Sequence, residues 1–426
     1  MNKPIDVVVV GAGNRGGKVY SPFAKMRPDM MRIVGVAEID PQRREEMARE
    51  YDIPAENCFV SAEEFFKHEK MADAVIIATM DRQHYAHSMA ALDLGYHILL
   101  EKPIAPTVKE CVEISDKAEK LGLHVVICHV LRYTTFYQLL KYCVDSGKIG
   151  DVVALHQTEN VGWWHQAHSF VRGNWRNSDE TTPMILQKSC HDMDIMHWLI
   201  GKKALRVTSF GSNKQFKPEC APPGAADRCL NGCKARAGCP YDCEKIYIYK
   251  DYTKAHSDVW PQNALCADVN PENLREALRT GPFGRCVYFC DNNVVDHQTV
   301  NIQFEDEVTA TFMMCGHTND QFAREIVIYG THGEIRAAIR EGGNETIEMN
   351  FYGKGTEKIN VADYTTDFSG HSGGDNHMME DFLNLVAGEP VTGNTVTAVK
   401  ASVHSHKMAL AAEQSRLNGG QVVEIQ

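Results

Sequence analysis

The stretch Val7-Val8-Val9-Val10-Gly11-Ala12-Gly13-Asn14-Arg15-Gly16 constrains the fold of this chain more than any other. Four consecutive β-branched residues read as a strand buried on both faces. The G-x-G-x-x-G that follows belongs between a strand and a helix. Gly11 makes the tight turn, Gly13 lets the backbone approach a pyrophosphate, and Gly16 lets the helix pack closely on the strand. The first turn of that helix offers unpaired N–H groups and a partial positive charge to an anion. Gly11, Gly13, Asn14, Arg15 and Gly16 are therefore candidate cofactor contacts. Glu38, at the end of the next strand (Val36-Ala37-Glu38), stands where an acid meets the ribose hydroxyls of the adenosine. A carboxylate there repels a 2′-phosphate, which favours NAD over NADP, and the nearby Arg43 and Arg44 temper that preference.

The pattern around this motif repeats. Strands are expected at Ile5–Val10, Arg32–Ala37, Ala74–Ala78, His97–Leu100 and His124–Cys128, separated by helices to about Met26, from Asp40-Pro41, from Ser61, over His84–Leu94 and over Thr107–Leu121. Alternating strands and helices with buried strands predict a doubly wound parallel sheet, a Rossmann domain over residues 1–133. The rest, 134–426, changes character. Period-two alternation such as Thr299-Val300-Asn301-Ile302-Gln303-Phe304 dominates from Val294 to Ile347, with helices at Phe136–Ser146, His191–Leu199, from Asp375 and over Val396–Asn418. This predicts a C-terminal α+β domain on a large, mostly antiparallel open sheet, interrupted by a Cys-, Pro- and Gly-rich insertion at about 212–290.

Composition narrows the partners. The chain has 426 residues, 23% of them charged, with a formal net charge of −12 and no basic cluster to offset it. A phosphate-backbone partner needs a basic surface, so nucleic acid is not expected. Apolar runs are strand-sized, well short of the ~18 residues of a membrane span. The N-terminus shows no signal-peptide pattern, so a cytoplasmic protein is expected. In that setting the 14 cysteines imply free thiols plus, in one place, a metal. Cys229, Cys233, Cys239 and Cys243 follow a C-x3-C-x5-C-x3-C spacing, with Cys220 as an alternate, and four thiolates around a structural zinc would staple a segment that lacks periodic apolar residues. The spacing departs from the usual C-x2-C pairs, and free thiols or a disulfide are the competing reading.

Further motifs carry a family resemblance. Ala78-Thr79-Met80-Asp81-Arg82-Gln83-His84, Glu101-Lys102-Pro103, Arg132-Tyr133, His191-Asp192-Met193-Asp194 with Trp198-Leu199, and Gly370-His371-Ser372-Gly373-Gly374-Asp375 follow the glycine motif in order. Together they resemble the Gfo/Idh/MocA oxidoreductases over most of the chain, the insertion excepted. The resemblance implies a site at the junction of the two domains, where NAD(P) exchanges hydride with a hydroxyl-bearing carbon of a sugar, cyclitol or glycoside. It implies cofactor contacts from Thr79, Asp81, His84, Glu101 and Lys102, contact of Lys102 with the reacting hydroxyl, and homodimers or homotetramers through the open sheet face.

Oxidising an alcohol requires a proton acceptor within hydrogen-bond reach of its oxygen. Lys102 and His191 are the candidates. Family members often carry an Asp four residues before this His; here that position is Gln187, which cannot take a proton. Lys188, at i−3 from His191 in an unbroken helix, is a further candidate because a second ammonium lowers neighbouring pKa values. The segment Gly162–Arg176 mixes aromatic rings with polar donors as sugar sites do, which makes His165, His168, Arg172, Trp175 and Arg176 candidate substrate contacts, with Asp194 and His371. The alternative to net oxidation is a glycoside hydrolase or lyase that uses NAD transiently, through oxidation, elimination, hydration and re-reduction; an NAD-sensing scaffold is a third reading.

Overall fold

The structure is a computed structural model. It describes residues 3–249, 260–266, 268–321, 323–340, 345–367, 369–391 and 395–425. Six strands form the first sheet: β1 (Ile5–Val10), β2 (Met31–Ala37), β3 (Cys58–Phe59), β4 (Ala74–Ile77), β5 (His97–Leu100) and β6 (Val125–Ile127). Their order is β3-β2-β1-β4-β5-β6, and every pair is parallel. The order reverses between β1 and β4, so a crevice opens at the carboxyl ends of these strands, where ligands of such sheets bind. The central strands are mostly apolar because both faces are covered; Val7, Val8, Val9 and Val10 are each fully buried.

The second sheet has nine strands: β7 (Val152–Asn160), β8 (Ala204–Ser212), β9 (His297–Phe304), β10 (Thr309–Cys315), β11 (Ala323–Gly330), β12 (Gly333–Ile339), β13 (Thr346–Phe351), β14 (Gly355–Asn360) and β15 (Val423–Glu424). They lie in the order β14-β13-β12-β11-β7-β10-β9-β8-β15. β7 and β10 run parallel, and the other described pairs are antiparallel. Alternate side chains of β9 and β10 are buried and half-exposed, the signature of a sheet covered on one face. Residues 213–296, between β8 and β9, form the insertion. Asp296 fixes its root: its carboxylate accepts the Lys214 and Gln215 N–H groups at 2.8 and 2.9 Å and pairs with His297 and His317.

The two sheets are joined late in the chain. Residues before the helix Val399–Leu417 lie along the free edge of β6: Ile127 N–H donates to Thr397 O at 2.8 Å, and Val126 bridges Ala398 antiparallel. The helix itself packs on both Val108–Leu121 of the first domain and β8 of the second. In the opposite sense, the expected helix after the glycine motif does not run unbroken to Met26. A wide-pitched π-type helix spans Asn14–Tyr20, the chain turns at Ser21-Pro22, and a short α-helix resumes at Phe23–Met26. Pro22 has no N–H to continue the ladder.

Behind the crevice, His129 and His406 are buried side by side with ring centroids 5.4 Å apart. Burial, with positive or histidine neighbours, pushes both imidazoles down to about 3. In the unfolded chain each titrates near 6.5. Between those values the unfolded state binds more protons than the folded one, so stability falls as the pH drops. Urea midpoints at pH 7.5 and pH 5 are expected to show this loss, at least about 1 kcal/mol per histidine, and His406→Gln, which keeps a hydrogen-bonding side chain without the titration, is expected to reduce it.

Candidate functional site

The glycine turn is built by contacts that tolerate no side chain. Gly11 has φ +90°, and a Cβ on it would lie 2.7 Å from Ala78 O; a Cβ on Gly16 would lie 2.0 Å from Gly11 O. At Gly13 the nearest atom to such a Cβ is Arg43 Nη1 at 3.9 Å, so this side of the loop is open to an incoming group. Glu38 sits beside it. One carboxylate oxygen accepts the Ala12 N–H at 2.6 Å and the other accepts the Asp40 N–H at 2.9 Å. An open glycine face and an acid within reach of the same loop fit a dinucleotide. Asn14 is exposed on the first turn.

Arg15 is placed otherwise than expected. Its guanidinium turns inward, donating to Glu101 Oε1 at 2.7 Å, Tyr20 Oη at 2.5 Å and Asp375 Oδ1 at 2.6 Å. Tyr20 also donates to Glu101. Two carboxylates hold Arg15 at the domain junction, so its guanidinium is a strut there. Asp375 accepts on its other oxygen from His371 Nδ1, 2.9 Å away. Burial opposes ionisation of Glu101, but Arg15 and Lys102 outweigh it and hold the carboxyl below the usual range. His371 and Ser372 have positive φ values of 40° and 52°, which bends the turn that delivers Asp375 to Arg15. Of the other candidate cofactor contacts, Asp81 accepts from Thr182 Oγ1 at 2.7 Å, Thr79 Oγ1 lies 3.0 Å from His87, and His84 lies between the carbonyls of Pro103 and Thr79. These residues shape the ends of β4 and β5 by protein contacts of their own.

Lys102 leaves β5 and points across the junction, where its Nζ donates to Gln187 O at 2.8 Å. The Gln187 side chain is turned toward Trp175 O, at 2.9 Å, and Thr181. Its backbone carbonyl, rather than its amide side chain, therefore takes part in the site. His191 is buried beside this pair, and its ring meets that of His129 edge-on at 5.5 Å. Burial, then Lys102 and His129, hold the imidazole well below its ordinary value, so it is neutral. Among the described residues, neither ring nitrogen of His129, nor Nδ1 of His191, finds a hydrogen-bond partner. Buried polar atoms are rarely left so. His129 follows β6 as a lone histidine in an apolar run, a setting with no pattern that would select it.

Lys188 does not share a face with His191. The helix Met184–Gln187 ends before it and a new one starts at Cys190, so the i−3 spacing no longer applies. Its ammonium donates to buried Glu159 at 2.5 Å. Arg324 joins Glu159 to Asp192, and Gln157 also donates to Asp192. Burial opposes the charge of Glu159 but Lys188 and Arg324 overcome it and push its pKa down; burial and the Glu159 carboxylate push Asp192 up. Asp194 is likewise committed, in a two-bond pair with Arg132 at 2.6 and 2.6 Å.

The aromatic segment, helical over Trp163–His165 and Gln166–Arg172, is a foundation for the insertion. Arg172 is buried and donates to Arg285 O, Tyr241 O and Cys229 Sγ. His168 stacks on Phe283 and bonds to Tyr247 Oη, and His165 is packed among Trp164, Phe170 and Trp260. Arg176 pairs with Asp291 and Glu180. Trp175 is 39% exposed. The structure thus places Arg172, His168 and Arg176 against the insertion and not in an open sugar cleft, because the insertion supplies the partners that periodicity could not reveal. Of the expected zinc ligands, Cys229 and Cys243 meet each other and Asp242, while Cys220 bonds to Lys214 O.

Fold and junction define a two-domain dinucleotide-dependent enzyme architecture. Residues 5–129 match the family model of the oxidoreductase family with NAD-binding Rossmann fold, GFO_IDH_MocA, and residues 141–425 match its C-terminal alpha/beta domain. The chain belongs to this Gfo/Idh/MocA family. It is 22% identical over 398 residues to YteT of Bacillus subtilis, covering 89% of this chain and 88% of that protein. It is 27% identical to a 2,7-anhydro-N-acetylneuraminate hydratase of Escherichia coli over 210 residues, about half the length of each (49% and 53%). Levoglucosan dehydrogenase, solved with NADH and levoglucosan, shares the fold with a TM-score of 0.69 at 16% identity over 99% of this chain and 100% of that one. Among the described residues, no helix is long and apolar enough to cross a membrane.

The glycines separate fold from binding. Gly16→Ala is expected to lose soluble protein or fall by more than about 2 kcal/mol in urea unfolding, since its contact is with rigid backbone. Gly13→Ala is expected to keep the wild-type midpoint and weaken NAD binding at least about tenfold in a fluorescence titration, because a methyl group then faces the pyrophosphate.

Proposed function

We propose that this chain is an NAD-dependent oxidoreductase acting on a secondary hydroxyl of a sugar, cyclitol or glycoside. The reading is carried by one juxtaposition: Lys102, held by Gln187 O, beside a buried neutral His191 at the carboxyl ends of the first sheet. The likeness to levoglucosan dehydrogenase in both domains supports it. Bound NAD supplies the hydride acceptor for the hydroxyl-bearing carbon.

The protein's own groups then divide the work. Lys102 presents an ammonium where alkoxide charge develops, and its bond to Gln187 O fixes that ammonium before substrate arrives. His191 enters neutral and is the proton acceptor for the hydroxyl. The positive neighbours that keep it neutral also drive the proton onward, or back to the oxygen in the reductive direction. Lys188, neutralised by Glu159, holds the wall behind the site and takes no proton in this scheme. Arg15 and Asp375 set the distance between the domain carrying Lys102 and the domain carrying His191.

Lys102→Met is expected to leave NAD affinity near wild type and to lower kcat at least about 100-fold on the best alcohol of a polyol and sugar panel. Reduced nicotinamide is read by its absorbance. If NAD binds and the panel yields no reduced nicotinamide, net oxidation is wrong. Release of aglycone from nitrophenyl glycosides with NAD returned oxidised would then identify the transient-NAD reaction, a redox-neutral outcome in keeping with the similarity to a hydratase.

A further inference from the structure

The insertion between β8 and β9 is a loop-rich module. Its ordered elements are short, from Pro218–Cys220 to Pro282–Gly284, with one longer helix at Pro271–Thr280. Its apolar support is divided between two small clusters, one around Cys243, Ile246, Tyr247 and Leu278 and one around Phe216, Tyr241 and Val287. Segments of this kind need a cross-link to hold one conformation.

Between the two clusters, Cys229 Sγ, Cys243 Sγ and a carboxylate oxygen of Asp242 all lie within 4.8 Å of one another. The three residues are buried, at 6%, 0% and 4% exposure. In tetrahedral zinc sites Zn–S is about 2.3 Å and Zn–O about 2.0–2.2 Å, which sets donors about 3.5–3.8 Å apart. The three donors therefore need only a small contraction to enclose an ion.

We propose that the insertion binds a structural zinc ion through Cys229, Asp242 and Cys243, with Cys239 as the fourth ligand. Cys233, the other thiol that spacing offered, lines the same cavity, but the donor that already converges with the two cysteines is Asp242. Its position is fixed from both sides: Oδ1 caps the helix Cys243–Tyr247 by accepting from Glu244 N–H at 3.0 Å, and Arg236 binds both oxygens at 3.0 and 3.2 Å. Cys239 lines the same cavity as Cys229 and Asp242, and the turn that joins it to Asp242 is closed by Asp242 N–H donating to Cys239 O at 3.4 Å.

Arg172 supplies the outer support. Its Nη2 lies 3.6 Å from Cys229 Sγ, and its Nη1 is buried and, among the described residues, without a hydrogen-bond partner. An arginine aimed at a neutral thiol gains little. Aimed at metal-bound thiolates it neutralises charge that the ion leaves over, the usual task of groups behind the ligands. Cys229, Cys243 and Cys239 as thiolates with Asp242 carry more negative charge than a dication cancels, and Arg172 and Arg236 both stand against this excess. Arg172 also anchors the aromatic loop of the second domain, so the metal would fasten the insertion to the enzyme body.

The test is elemental analysis of the full chain purified without added metal or chelator. About one zinc per chain is expected, falling below about 0.1 in Cys229→Ser and Cys243→Ser and staying near one in Cys220→Ser. A variant that unfolds would lose zinc trivially, so the unaltered chain is also stripped and refilled with cobalt(II). Thiolate-to-cobalt charge-transfer bands with the visible bands of tetrahedral cobalt are expected, together with recovery of the thermal midpoint lost on stripping. Less than about 0.2 zinc per chain with no such bands overturns the site; so does iron with acid-labile sulfide, or a Cys229–Cys243 disulfide found by peptide mass mapping of the protein as purified.

Discussion

Two carboxylates from different domains, Glu101 and Asp375, converge on the guanidinium of Arg15. Everything proposed for the site depends on the separation this ion triad sets. Glu101 is the residue before Lys102, and Asp375 lies on the turn with His371, so an arginine in the glycine loop ties the cofactor-binding turn, the candidate ammonium and the second domain into one unit. Its burial makes the arrangement exacting. Removing one member of a buried ion pair leaves an uncompensated charge, at a cost of about 3–5 kcal/mol. The junction therefore has little freedom to drift by a few tenths of an ångström, which is what positioning a proton acceptor against a hydroxyl requires.

A second group of buried charges keeps the wall behind His191 rigid in the same manner. Lys188, Glu159, Arg324 and Asp192 form a chain that links the start of the helix Cys190–Ile200 to β7 and β11. The helix carrying His191 is thus pinned in its first turn at Asp192, while Arg132 pins it two residues further on through Asp194. His191 directly precedes Asp192, so the backbone that carries its ring is held by that pin.

Much of this was legible before the structure. The parallel sheet followed from strand composition and the glycine motif, and the antiparallel sheet from period-two alternation in β9 and β10. Those are local patterns, and local patterns report local structure. The roles of Arg15, Lys188 and Arg172 were not legible, because each depends on a partner far away in sequence. Arg15 reads in sequence as a candidate cofactor contact, and its bond to Asp375, 360 positions later, has no local signature. Lys188 looked like a neighbour of His191 because the spacing assumed an unbroken helix. His129 offered no signal at all: its interest comes from two buried ring nitrogens that find no hydrogen-bond partner among the described residues.

The antiparallel edge laid along β6 by residues near Thr397 has a consequence for how the molecule is made. The first sheet is complete in its strands by Ile127, yet its outer edge is covered by a segment some 270 positions further on. On the ribosome the nucleotide-binding domain emerges with an open strand edge, and it stays open while β7 to β14 of the second sheet are synthesised. Exposed edges are templates for wrong pairing, and contacts of such long separation form slowly. The chain thus depends on its last helix to finish its first domain, and a nascent protein of this kind is most exposed to aggregation and to chaperone capture in the interval between the two.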